Sequence, residues 1–453
     1  MQMYQQHQNK RESKPLPCQP LTSLADEEIK VILQDRVDRA RRSVGVVVGI
    51  VDDRGTRVIS YGKPSLDSDQ AVNGDTVFEL ASCTKVFTGT LLGDMVEQGE
   101  VNLDDPISTY LPKSVKTPTY NGKEIALRHL ANHTSGLPMD ADNLSESERN
   151  TFDMYADYPA ERMYAFLSTC KLTREIGAKY EYSNFGVGLL GHILELHAGM
   201  NFENLIQTRI CRPLHMENTG VRLTNEMQKH LAVGHNNFLK PIPGQTWNNS
   251  SLTGAGALHS TVHDLLRFVE ANLSLEKTHL SAAMEKAQFL SWGRAHKSDS
   301  IIINHTGNSY GYCSYIGFDK KKHQGIVILS NVACNSVEDI GYHLLNSQCP
   351  LEHPEALKEH KAIKLDGKRF DPYVGEYQTS FSDFRKFTVF REGDKLFTKV
   401  NDKPKSEIFA ESETDFFNKY QGYTIAFFKN DQGVTTHLML KAGLITISAK
   451  KIK

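Results

Sequence analysis

Ahead of Cys349, strand-like sequence in this chain comes in two widely separated instalments. Runs 44–51 and 56–61 are rich in β-branched and aromatic residues and are joined by Asp52, Asp53, Arg54 and Gly55, so they read as a hairpin. Comparable runs return at 300–304, 312–318 and 325–329, followed by a helical pattern over 337–345. A two-stranded hairpin is at best marginally stable in water. The distant runs are therefore expected to complete the sheet begun near residue 44. The intervening stretch from about 104 to 252 is helical in pattern, rich in loops and almost free of strand character, which makes it an inserted helical region.

Helices frame this sheet. Ile29, Ile32, Leu33 and Val37 recur at helical spacing behind Asp26, Glu27 and Glu28, acidic residues that suit a helix N-terminus. From Ser82 to about Gln98, Phe87, Leu91, Leu92, Met95 and Val96 keep the same period, and Gly99 ends the run. After Cys349, Pro350, His353 and Pro354 interrupt the pattern, 387–390 and 395–400, then 423–429 and 435–440, form a string of short hairpins that suggests a small barrel or sandwich. The expected organisation is a flexible segment over 1–22, a main domain over 23–348, a linker over 349–366 and a small all-β domain over 367–453.

At 453 residues the chain exceeds the usual single-domain range, which fits that division. Lys and Arg number 52 against 54 Asp and Glu, so no global field recruits nucleic acid, and a small-molecule or peptide substrate fits better. No apolar run approaches a membrane span. The polar first twenty residues lack the apolar core of a secretory signal, which leaves the cytoplasm as default and the periplasm or exterior if the true start lies elsewhere. The seven cysteines, Cys18, Cys83, Cys170, Cys211, Cys313, Cys334 and Cys349, form no Cys-x-x-Cys pair, and at least one thiol is unpaired. His259 and His263, near Asp264, have a metal-like spacing but no third ligand pattern, so neither metal nor cofactor is expected. Lys320 to Lys322 read as a solvated turn, and no Gly-x-Ser-x-Gly elbow is present. Whether the chain forms a homo-oligomer stays open.

Three short motifs carry chemistry. Ser82-x-x-Lys85 opens the second helix, where residues three apart share a face and an amine one turn behind reaches the hydroxyl. A serine hydroxyl needs a base to become a nucleophile, and lysine serves only if burial or nearby cations bring its pKa from about 10.4 toward 7. A helix cap followed by a solvated lysine gives the same tetrapeptide. Tyr182-Ser183-Asn184 stands before an apolar helix; the phenol suits proton transfer to a leaving group, and the amide suits holding both Lys85 and a substrate carbonyl. An ordinary capping turn with Asn184 as cap reads identically. His305-Thr306-Gly307-Asn308 stands between strand-like runs, where a strand edge offers a main-chain N–H which, with that of Ser82, makes an oxyanion hole.

In this order and at these separations, the three motifs resemble those of the class C β-lactamase and serine penicillin-binding-protein superfamily. The segment His133-Thr134-Ser135-Gly136-Leu137-Pro138, the segment 103–112, and the segment 210–219 with His215 in place of a glycine strengthen the likeness, which spans about 25–347. Asp371-Pro372-Tyr373-Val374-Gly375-Glu376-Tyr377 resembles the start of a lipocalin-like domain of unknown function attached to such hydrolases.

The resemblance implies an α/β (α+β) fold: a β-lactamase/transpeptidase-like antiparallel sheet flanked by helices, plus a barrel-like C-terminal domain. It implies Ser82 as nucleophile, Lys85 and Tyr182 as the acid/base pair and Asn184 as substrate and lysine anchor. His305, Thr306 and Gly307 become the strand beside the substrate, and the Asn308 N–H completes the oxyanion hole. The activity implied is acyl transfer on D-amino-acid peptides, peptidoglycan fragments, β-lactams or small esters, of the D-alanyl-D-alanine carboxypeptidase type. β-Lactamases proper carry lysine at the position of His305, which argues against efficient penicillin hydrolysis. The competing reading is a non-catalytic penicillin-binding or scaffold protein that keeps the fold.

Overall fold

The computed structural model describes residues 24–146, 155–244, 247, 250–275, 277–297, 300–333, 337–379, 386–400, 405–420, 422–442 and 445–453. The segment 1–22 lies outside them, as do Cys18 and Cys334.

The two instalments of strand sequence do form one sheet. The hairpin β1 (Gly45–Asp52) and β2 (Gly55–Gly62) is joined to β3 (Gly293–Lys297), β4 (Ser300–Asn308), β5 (Cys313–Asp319) and β6 (Gln324–Ser330) in the spatial order β2-β1-β6-β5-β4-β3. The closing contact is antiparallel, with Val47 opposite Leu329. Every residue of β1, β5 and β6 is buried, because both faces of the sheet are covered. Alternation then sorts the side chains: Val47, Val51, Ile316, Phe318, Val327 and Leu329 enter the larger core, while Val46, Val48, Ile50, Ile326 and Ile328 enter a smaller one.

The smaller core is closed by α1 (Asp26–Gln34), through Ile29 and Leu33, and by a C-terminal helix through Ile340, Leu344 and Leu345. On the other face α2 (Thr84–Glu97) runs through the middle of the molecule, buried on all sides from Thr84 to Met95. The helical region packs around it through α3 (Asn184–Ala198), among others.

The His305 motif, which the sequence sets between strand-like runs, is itself strand: it is the last part of β4, paired with β5 through Asn308 opposite Cys313. The edge strand β3, whose sequence Gly-Arg-Ala-His-Lys carries no β-branched residue, pairs only with 300–304. β4 therefore runs past its neighbour, and its end from His305 onward forms a local edge.

Beyond the sheet, 346–366 carries no regular element. Eight antiparallel strands then close into a barrel: β7 (Gly375–Gln378), β8 (Lys386–Glu392), β9 (Lys395–Val400), β10 (Ser406–Ala410), β11 (Asp415–Asn418), β12 (Tyr423–Lys429), β13 (Thr435–Ala442) and β14 (Ile445–Lys451). Closure is through Tyr377 opposite Lys451. Eight strands leave an interior that side chains can fill. Phe387, Leu396, Phe416, Phe427 and Leu438 are among those that form this barrel's own buried core.

Candidate active site

Ser82 lies in a single 3-10 turn, Ala81–Cys83, that feeds directly into α2. The turn is tight enough to place Ala81 at φ +46°, a left-handed conformation that a residue with a Cβ adopts at a cost of roughly 1–3 kcal/mol. Tertiary hydrogen bonds hold it there. The Leu80 N–H donates to Leu258 O at 2.8 Å, and Leu80 O accepts from the Ser314 hydroxyl at 2.7 Å. The neighbouring Cys83 thiol is buried and pushed up to about 12 by desolvation, so it stays protonated at neutral pH, which leaves the Ser82 hydroxyl as the candidate nucleophile of this turn.

Lys85 is 1% exposed, which removes the reading of a solvated lysine behind a cap. Its Nζ is 2.9 Å from Ser82 Oγ and 2.7 Å from the carbonyl oxygen of Ala255. Burial brings its pKa down to about 7, with Asp140 and Cys83 opposing the shift. A neutral amine beside the hydroxyl is thus accessible at neutral pH.

From the other side, the Tyr182 hydroxyl donates to Ser82 Oγ at 2.9 Å. The ring of Tyr182 stacks on His133 at 4.5 Å and stands 5.0 Å from Lys85 Nζ. Burial raises the phenol above its ordinary value of 10, so the group stays protonated. His133 Nδ1 accepts the N–H of Ser183 at 3.1 Å, and burial next to Lys85 lowers its pKa to about 3. The ring that backs Tyr182 is neutral.

Asn184 is not the helix cap: Ser183 is, accepting the Gly186 N–H, and Asn184 is the first residue of α3. Nor does its amide reach Lys85. Among the described residues the hydrogen-bond partners of Asn184 Nδ2 are Asp140 Oδ1 at 3.3 Å and the Tyr155 hydroxyl at 3.2 Å, and the Ala255 carbonyl is the second group on the lysine. A main-chain carbonyl of this kind has no sequence signature.

The end of β4 packs directly on the Ser82 turn. Cys83 Sγ donates to His305 O at 3.3 Å. A Cβ on Gly307 would overlap the Leu80 carbonyl oxygen and the Ser314 hydroxyl, so glycine is what allows the strand to lie this close. His305 Nδ1 donates to Thr306 O at 2.7 Å, leaving Nε2 as an acceptor. Burial, with Lys85 adding, lowers its pKa to about 4.

These residues separate two hollows. One of about 270 Å³ is lined by Ser82, Asn184 and Asn308 together with Tyr155, Trp247 and Tyr310. The other, on the far side of Tyr182, is lined by His133, Trp292, Arg294, His305 and Thr306. Lys85 lies buried behind Ser82, and the Gly307 backbone packs against the Leu80 carbonyl. Sequence reasoning did not single out Tyr155, Trp247 or Tyr310 as site residues. Trp247 carried the one available hint, as one of only two tryptophans in a long loop-rich stretch.

His259 and His263 belong to separate surroundings. His259 is buried in a short ladder opposite Glu79, whereas His263 pairs with exposed Asp75 at 2.7 Å. Cys83, Cys170, Cys211 and Cys349 are free thiols. Among the described residues no helix is long and apolar enough to cross a membrane.

The family described as Beta-lactamase matches residues 30–343. The chain is 28% identical over 324 residues to the D-alanyl-D-alanine-carboxypeptidase/endopeptidase AmpH of Escherichia coli (strain K12), covering 65% of this chain and 81% of that protein. It is 26% identical over 336 residues to a β-lactamase of the same organism, covering 63% and 84%. In fold it is similar to a β-lactamase/D-alanine carboxypeptidase from Yersinia pestis, with a TM-score of 0.60 at 24% identity, covering 70% of this chain and 98% of that one.

Proposed function

The chain belongs to the Beta-lactamase family of serine hydrolases, the type that includes β-lactamases and D-alanine carboxypeptidases, and on that footing we propose that it cleaves small amides or esters through a covalent acyl-Ser82 intermediate. The observation that carries this reading is the convergence of Lys85 Nζ and the Tyr182 hydroxyl on one Ser82 oxygen, each at 2.9 Å. In this reading 23–348 carries the reaction, 349–366 connects and 367–453 forms the second domain.

Neutral Lys85 takes the Ser82 proton as Oγ bonds to the substrate carbonyl carbon. The oxygen of that carbonyl becomes an anion facing the N–H groups of Ser82 and Asn308, where each donor contributes ~10²–10³ in rate. As the carbon–leaving-group bond breaks, Tyr182 gives its proton to the departing amine or alkoxide and regains one from the lysine ammonium. Water then attacks the acyl-Ser82 carbonyl, returning the hydroxyl and releasing the acid.

Substrate choice follows from charge. His305 is held neutral, so the strand beside the substrate lacks the cation that lysine places there in β-lactamases. Together with the likeness to AmpH, this favours D-alanyl peptides and esters over penicillins. The test is turnover of a D-alanyl-D-alanine peptide, D-amino-acid amides, p-nitrophenyl esters and nitrocefin by the purified chain. Hydrolysis of peptides or esters with nitrocefin weakest is expected; turnover of none overturns the reading in favour of a binding or scaffold protein.

A further inference from the structure

The barrel touches the main domain at the loop 232–242. Asn236 in that loop is 4% exposed, and its Nδ2 donates to the main-chain oxygens of Lys419 at 3.0 Å and Tyr420 at 2.9 Å, in the turn between β11 and β12. Its Oδ1 accepts the N–H groups of Phe238 at 2.9 Å and Lys240 at 3.1 Å. One amide thus closes the loop tip with its oxygen and crosses the domain junction with its nitrogen. Beside it, Gly422 of the barrel turn sits at φ +72° against Asn237.

The base of the same loop is stitched to the turn that rims the Ser82 cavity. His235 N–H donates to Gly311 O at 3.2 Å, and the Tyr312 hydroxyl donates to Ala232 O at 2.6 Å. Ile242 returns its N–H to Gly234 O at 2.9 Å and packs on Gly311. That turn carries Ser309 and Tyr310, which line the cavity directly after Asn308. The loop base is also anchored to the sheet, through His235 N–H to Asn331 O at 3.0 Å, so losing the barrel contact loosens the loop rather than unfolding it.

We propose that Asn236 is a positioning residue through which the barrel fixes the 309–312 turn, and with it the wall against which a large acyl group packs. The proposal rests on the reading of Ser82 as nucleophile. The barrel, whose own interior is filled, then acts on the reaction by bracing the cavity mouth.

The test uses the full chain with two variants. Asn236→Asp keeps an oxygen for Phe238 and Lys240 but turns a second oxygen toward the Lys419 and Tyr420 carbonyls. Gly422→Ala disturbs the same junction from the barrel side, since its Cβ would lie 2.9 Å from that of Asn237. Rates are normalised to the fraction of Ser82 labelled by a fluorophosphonate, and kcat and KM are measured for p-nitrophenyl acetate and p-nitrophenyl 4-phenylbutyrate. Both variants are expected to raise KM for the aromatic ester about tenfold while leaving both acetate parameters within about twofold of wild type. Equal changes for the two esters, or no change for either, overturn the proposal. If Asn236→Asp melts as an unfolded chain, Gly422→Ala decides alone. A wild-type protein that takes no label at Ser82 sinks the nucleophile assignment and this inference with it.

Discussion

Lys85 Nζ stands 2.9 Å from Ser82 Oγ at the head of one buried helix, and among the described residues no carboxylate is hydrogen-bonded to it. That combination matters because a carboxylate partner would hold the ammonium charged. Burial works in the opposite direction, and a fall from about 10.4 to about 7 corresponds to roughly 4–5 kcal/mol of bias toward the free amine. Each expected outcome below draws on a separate part of this arrangement.

In the proposed mechanism the amine is the base, so replacing it with a group of similar length that cannot take a proton is expected to stop the reaction while preserving the fold. Lys85→Met is expected to lower kcat/KM for p-nitrophenyl esters by about 10²–10⁴. Circular dichroism of the variant should match wild type, and near-normal turnover would show that another group removes the proton.

The pH dependence has a definite sign. In the proposed mechanism the neutral amine is the active form, so kcat/KM is expected to rise with pH through about 7 as Lys85 loses its proton. Burial raises the Tyr182 phenol above 10, so no fall is expected up to pH 9.5. His133 and His305, at about 3 and about 4, are neutral throughout pH 5–9.5 and contribute no limb. A rising limb at pH 4–5 in the acylation rate contradicts this assignment.

In the proposed mechanism Tyr182 delivers a proton to the leaving group, a service that matters only when the leaving group needs one. Tyr182→Phe should cost an amide substrate about 10²–10⁴ in kcat/KM. A p-nitrophenyl ester, whose leaving group departs as an anion, should lose far less. Equal losses on both would place the phenol in another role.

Gly307 is where β4 touches the Ser82 turn. Gly307→Ala puts a methyl into the Leu80 carbonyl and Ser314 hydroxyl, so either the strand or the turn must move. A stability loss of about 1–3 kcal/mol in urea melts is expected, together with lost activity at Ser82. Full activity with unchanged stability would mean that the strand lies elsewhere.

Much of the site was legible because its chemistry sits in side chains with distinct local signatures. Ser82 and Lys85 share a helix face, Tyr182 precedes a helix, and Gly307 marks a close backbone approach. Runs rich in β-branched and aromatic residues likewise announced β1, β2, β5, β6 and the first part of β4, as well as four strands of the barrel. What stayed hidden depends on contacts between distant segments. The Ala255 carbonyl on Lys85 could belong to any residue type, and Asp140 and Tyr155 capture the Asn184 amide from an unrelated loop. The strand β3 was missed because its sequence is polar and unbranched; pairing with β4 makes it a strand. The left-handed Ala81 was equally invisible, since alanine there is imposed by the hydrogen bonds around Leu80 rather than by local preference.

The most direct measurement traps the covalent intermediate. The purified chain is treated with a fluorophosphonate, weighed intact by mass spectrometry and mapped by peptide digestion, beside Ser82→Ala. One adduct per chain on the peptide carrying Ser82, absent from the alanine variant, is the outcome this arrangement predicts. Failure of wild type to react, or an adduct that survives in Ser82→Ala, would contradict it.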